Sequence, residues 1–125
     1  MLFDIDILIW IQRGNEAAAD LVQKADARYI SIQTYMELLQ SAQDKQQQKD
    51  VRDFLSDFSF TILPLTERIG HRASIYVEEY SLAHGIRAGD ALIAATATEN
   101  NLKLASSNAK HFKPIQDLDL KIFKP

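Results

Sequence analysis

Four acids stand in apolar surroundings, where a carboxylate without a partner is costly. Asp4 interrupts Leu2-Phe3-Asp4-Ile5, Asp6 follows two residues later, Glu37 lies between Met36 and Leu38, and Asp90 heads an alanine-rich stretch with almost no other charge. Gathered at one place, such groups repel: two carboxylates ~4 Å apart oppose each other by about 4 kcal/mol at an effective dielectric of about 20. Either their pKa values rise or a cation comes between them. An all-oxygen donor set suits Mg²⁺ or Mn²⁺ rather than Zn²⁺. A hard cation of that kind polarises a phosphoryl oxygen and activates a bound water, the chemistry of phosphodiester cleavage. Asp4, Glu37 and Asp90 are then the expected ligands, direct or through water.

Each acid also has a purely structural reading. Asp90 can cap a helix, Asp being among the best N-cap residues. Glu37 can be a partly exposed helix residue, and Asp6 can cap a first helix. Asp4 is the hardest to explain this way, because a strand core seldom carries an acid without reason. The conjunction says more than any one member.

The elements that must position these acids follow from periodicity. Leu2–Ile5 reads as a buried strand ended by Asp6, and Glu16–Lys24 as a helix after the Gly14-Asn15 break. Strand-like Arg28–Ile32 precedes a helix from Thr34 onward; Gln43–Gln48 marks a helix end or turn, and Lys49–Phe58 is amphipathic. Thr61–Leu65 is a strand stopped by Pro64, Glu67–His84 a long helix closed by Gly85, and Gly89–Glu99 a helix apolar on most faces. Leu102–Ala105 and the edge-like Leu120–Phe123 complete the pattern. Strands alternating with helices predict a three-layer α/β fold with a mainly parallel central sheet flanked by helices. Ligands bind such sheets beyond the carboxyl ends of the strands. Asp4, Asp6, Glu37, Asp90 and the run Ser106-Ser107-Asn108 are all expected at that edge.

Composition narrows the classes. A length of 125 residues confines the chain to one domain, and the absence of cysteine excludes disulfide frameworks and thiolate metal sites. Met1–Ile11 is apolar but carries Asp4 and Asp6 and no basic head, and no apolar run approaches the about 20 residues that span a bilayer; a cytoplasmic protein is expected. The net charge of −3 is unevenly spread. Five lysines against two aspartates leave residues 101–125 at +3, and nine bases against fifteen acids leave residues 1–100 at −6. That tail can meet phosphate, or it can be a solvated lysine-rich edge.

Four segments, in order, resemble PIN domains of the VapC toxin type. Phe3-Asp4-Ile5-Asp6-Ile7-Leu8-Ile9 is similar to the family's opening, in which Asp-Thr-Asn follows a hydrophobic run. Ser31-Ile32-Gln33-Thr34-Tyr35-Met36-Glu37-Leu38 resembles its S-x-x-T-x-x-E-L helix start, and Gly89–Ala97 its D-x-x-I-A-A-x-A helix. Leu104–Phe112 resembles its segment L-h-T-x-N-x-x-D-F, where h is hydrophobic. The likeness covers essentially the whole chain, residues 1–125 as a single PIN domain. It implies a magnesium-dependent endoribonuclease, Mg²⁺ or Mn²⁺ as cofactor, RNA as substrate, a homodimer, and inhibition by a cognate antitoxin protein. It also implies Asp4, Glu37 and Asp90 as catalytic metal ligands, and Ser106, Asn108 and His111 as residues that position substrate. RNA rather than DNA rests on this likeness alone.

Three departures stand out. Asp6 replaces the usual Asn and brings a possible extra metal contact. Ser106 replaces Thr and keeps the hydroxyl. His111 stands where many members have a fourth acid, which argues against a second tightly held ion; it can hold water or phosphate, or sit on the surface. Asn108 is expected to bond Asp4 or the phosphate, its alternative being a turn residue. Trp10 and Tyr35 offer faces for a base, although core packing suits them better.

Rival readings remain. Asp4-Ile5-Asp6 mimics the DxD loop of haloacid-dehalogenase-type phosphatases, but Leu8 and Ala94 stand where that family wants Thr or Val and an acid. A phosphoacceptor receiver module needs an Asp after its third strand, where this chain has Pro64-Leu65-Thr66. A degenerate PIN domain that binds RNA or protein without cleavage is the third; His111 keeps it open.

Overall fold

The computed structural model describes residues Met1–Pro125. In chain order the elements are β1 (Leu2–Phe3), α1 (Ile5–Gln12), α2 (Glu16–Lys24), β2 (Arg28–Ser31), α3 (Ile32–Ser41), α4 (Lys45–Asp57), β3 (Phe60–Leu63), α5 (Glu67–His84), α6 (Ala88–Glu99), β4 (Leu104–Ser106), α7 (Ala109–Phe112) and β5 (Leu120–Ile122). The five strands form one sheet in the order β3-β2-β1-β4-β5, every pairing parallel. The expected α/β class holds, and the sheet is wholly rather than mainly parallel.

Strand periodicity builds the two layers of core, because successive side chains leave a strand on opposite faces. Leu2 and Leu104 join the cluster under α5 and α6, with Ile69, Tyr76 and Ala91. Their neighbours Phe3 and Ala105 join the cluster under α1–α4, with Ile7, Val22 and Leu55. The buried helix is α6, where Ala91, Ala94, Ala95 and Ala97 are fully inaccessible. Its small side chains let it pack closely against α5.

Several boundaries differ from the expected ones. The first strand stops at Phe3 rather than Ile5, and the helix α1 begins at once, at Ile5. A continuous apolar run fits a buried helix as well as a strand, so periodicity does not separate them. The glutamine-rich stretch forms the first turns of α4, capped by Asp44, whose side chain accepts the Gln47 N–H. Ser106 lies inside β4, not after it, and α7 is a further short helix. No helix is long and apolar enough to cross a membrane.

Candidate active site

Strand register makes the first contact of the site. Leu2 pairs with Leu104 and Phe3 with Ala105, so the next step along both strands sets Asp4 beside Ser106. The Asp4 N–H still donates to the Ala105 carbonyl at 2.9 Å, while its side chain turns to cap α1. Asp4 Oδ1 accepts the Ile5 N–H at 2.8 Å, and Oδ2 accepts the Ser106 hydroxyl at 2.7 Å. Strand order reverses between β1 and β4, the switch point at which open parallel sheets place ligands.

The remaining groups arrive on helices that start at this edge. Asp6, in the first turn of α1, accepts the Ser107 N–H at 2.9 Å and the Ser107 hydroxyl on Oδ2, while Oδ1 is buried with no partner. Asp90 is the third residue of α6; its Oδ2 accepts the Arg87 N–H at 3.4 Å and lies 2.8 Å from His111 Nδ1. That contact fixes the imidazole with Nδ1–H toward the carboxylate. Asn108 Nδ2 lies 3.2 Å from the same nitrogen, and the Asn108 N–H donates to Ser106 Oγ at 3.0 Å. Hydrogen bonds thus link Asn108 through Ser106 to Asp4, and His111 to Asp90, with the Asn108 and His111 side chains adjacent.

Glu37 comes to this edge indirectly. Gln33, one turn earlier on α3, donates from Nε2 to Glu37 Oε1 at 3.2 Å. The same Nε2 stands only 2.8 Å from the place a Cβ on Gly89 would occupy. Glycine before Asp90 therefore lets α3 lean against the start of α6. Gln33 Oε1 is the other buried oxygen without a partner.

Electrostatics mark Asp4 as the unusual acid. It is 6% exposed, and its pKa is pushed up to about 7. Burial is the main cause, followed by the charge of Asp6 and, more weakly, that of Asp90; the bonds from Ser106 and Ile5 oppose them. No three acid or histidine side chains lie close enough to clasp an ion as they stand. The donor chemistry nevertheless fits a hydrated hard cation. The Asp6 Oδ1 orphan and the disfavoured charge on Asp4 are both relieved by positive charge here, and every donor is a carboxylate oxygen. Mg²⁺ keeps several waters and needs only one or two direct carboxylates.

Set against expectation, Asp4, Asp6, Asp90, Ser106, Asn108 and His111 come together, whereas Glu37 is tied to this edge only by the bond from Gln33. None of the acids is neutralised by an arginine. Asn108 does not bond Asp4; Ser106 does, because it lies on the strand paired with β1. Asp4, not Asp6, caps α1, and Asp90 takes part in the cap of α6 from its third position, accepting the N–H of the N-cap residue Arg87. His111 is partly buried against Asp90 rather than a plain surface residue. Trp10 and Tyr35 pack against the α1–α4 core. Gln33 escaped the sequence reading as a site residue, whereas Ser107, expected at this edge, is found bonded to Asp6. The i,i+4 spacing of Gln33 to Glu37 was the available signal.

Known proteins share this arrangement's frame. The model of the PIN domain family matches residues 1–117. Ribonuclease VapC10 of Mycobacterium tuberculosis is 35% identical over 122 residues, covering 94% of this chain and 90% of that protein. A toxin–antitoxin complex from Klebsiella pneumoniae contains a chain 30% identical, with a TM-score of 0.81 over 94% of this chain and 93% of that one. VapBC2 from Rickettsia felis, bound to a promoter DNA fragment, shares the fold at a TM-score of 0.79 and 24% identity, covering 98% of both chains.

Proposed function

The chain belongs to the PIN domain family, and from that premise we propose that it is an endoribonuclease toxin, held in check by a cognate antitoxin, that hydrolyses RNA phosphodiester bonds with Mg²⁺ or Mn²⁺. The observation that carries the reading is the buried Asp4, bonded to Ser106 and raised in pKa beside Asp6 and Asp90 at the switch point of the sheet. A carboxylate kept in such a place without a basic partner suits a site that receives a cation. The curated relative's name supplies RNA as substrate, and the Klebsiella complex supplies the antitoxin. The homodimer belongs to the same proposal.

Asp4, Asp90, Glu37 and Asp6 would hold the ion, some through water. When bound, the ion supplies charge stabilisation to the phosphoryl group and a water of lowered pKa. Ser106 orients Asp4 by donating to Oδ2, and His111 orients Asp90 by donating from Nδ1, so both act on substrate through a carboxylate. Asn108 steadies Ser106, donating its backbone N–H to Oγ.

Purified protein should cut single-stranded RNA with Mg²⁺ or Mn²⁺, stop on addition of EDTA, and lose at least about a hundredfold in rate on Asp4→Asn or Asp90→Asn. Expression should arrest growth, with relief by the antitoxin and no arrest from Asp4→Asn. RNA binding without cleavage at any metal concentration would sink the hydrolytic reading in favour of a binding-only PIN domain.

A further inference from the structure

A shallow depression lies between the end of α5 and α7. Tyr80 and His84, on successive turns of α5 with ring centroids 6.2 Å apart, form one wall. Lys110 on α7 and Lys113 just after it form the other, and no acidic side chain lines the space. His84, Lys110 and Lys113 are exposed, and Tyr80 is half-buried. His111 ties the two walls of the depression to the acids. That residue sits next to Lys110 on the short helix, pairs with Asp90 through Nδ1, and brings Nε2 to 4.0 Å from where a Cβ on Gly85 would lie, one residue past His84. Exposed Arg87 stands on the same α5–α6 turn, three residues before Asp90.

The site itself is anionic, and residues 1–100 carry −6, so a polyanion needs local cations to approach it. Lysines beside accessible aromatic rings are the usual equipment for single-stranded nucleic acid: the cations meet phosphates, and the rings stack bases without reading them. A duplex hides its base faces and cannot use the rings. An acidic protein segment would use the lysines and leave the rings idle.

We infer that this face seats the single-stranded RNA that flanks the scissile bond, with phosphates on Lys110, Lys113 and Arg87 and a base against the Tyr80–His84 pair. The inference rests on the acid cluster being the cleavage site, and it adds the path by which substrate reaches it.

Binding of a fluorescent single-stranded oligoribonucleotide in EDTA, followed by anisotropy across a salt series, tests this without turnover. Lys110→Gln with Lys113→Gln should flatten the slope of log K against log salt by about 1.4, at about 0.7 per lost phosphate contact. His84→Ala should weaken binding about tenfold and leave that slope unchanged. Wild-type slope and affinity in both variants overturn the inference, and if wild-type protein still cleaves with Mg²⁺ the proposed function survives that failure. A flattened slope in a protein that never cleaves RNA upholds the surface and removes the nuclease. Loss of binding to a glutamate-rich peptide, with RNA binding intact, assigns the lysines to an acidic protein partner and overturns the RNA seat.

Discussion

At the scale of single residues, Asp4 differs from the other acids because burial and neighbouring negative charge act on it in the same direction. Its folded pKa of about 7 lies above the ordinary value of 3.8. Below pH ~4 the group is neutral in both folded and unfolded chains and costs nothing. Between pH ~4 and ~7 the unfolded chain releases a proton that the folded chain retains, so stability falls as pH rises. In metal-free protein that loss is complete once the pH has passed the folded value of about 7. Urea denaturation with EDTA should show wild type losing more stability between pH 4 and pH 8 than Asp4→Asn. Equal losses would show that Asp4 is not held protonated. Added Mn²⁺ should stabilise wild type more at pH 8 than at pH 5, because the ion competes with the proton. Ser106→Ala removes the hydroxyl that orients Asp4 and should weaken Mn²⁺ binding about 10–100-fold, as read by calorimetry.

At the scale of elements, the contact between α3 and the start of α6 decides whether Glu37 belongs to the site. It depends on an absent side chain: a Cβ on Gly89 would meet Gln33 Nε2 at 2.8 Å. In Gly89→Ala the flexible end of Gln33 can swing aside, so folding should be little changed, and alanine even gains up to about 1 kcal/mol in helix propensity. The same swing breaks the bond from Gln33 to Glu37. Metal-dependent cleavage should fall about tenfold in Gly89→Ala and in Gln33→Ala alike, and the double variant should be no worse than either. Additive losses would mean that the two residues act separately. Gln33 is thus a positioning residue, detectable in three dimensions through its neighbours.

At the scale of the whole molecule, α6 connects two polar regions with different duties. Asp90 lies near its first turn, and Glu99 ends it about 14 Å further along the axis. There Arg72 reaches Glu99 through Nε and Asp117 Oδ2 through Nη1, the latter at 2.8 Å, and the Tyr76 hydroxyl donates to Asp117 Oδ1 at 2.9 Å. This network ties α5, α6 and the segment before β5 together. Arg72→Ala leaves Glu99 without its cation and should cost about 2 kcal/mol on thermal or urea unfolding. RNA cleavage per folded molecule should not change, because the network lies at the far end from the acids. A matching fall in cleavage rate would show that the two ends are coupled.

Residue type and order already determined the α/β class, the long helix Glu67–His84 with its left-handed glycine cap, the buried helix behind Asp90, and which acids to suspect. These rest on local periodicity, on capping chemistry, and on the cost of placing charge among apolar neighbours. The sequence left undecided whether Asp4 closes a strand or opens a helix, since an apolar run of that length satisfies both patterns. Tertiary structure alone decided that Ser106 rather than Asn108 meets Asp4, that His111 pairs with Asp90, and that Gln33 fits over Gly89. Each of these contacts joins segments through strand register or helix approach, and those distances are fixed only when the sheet assembles.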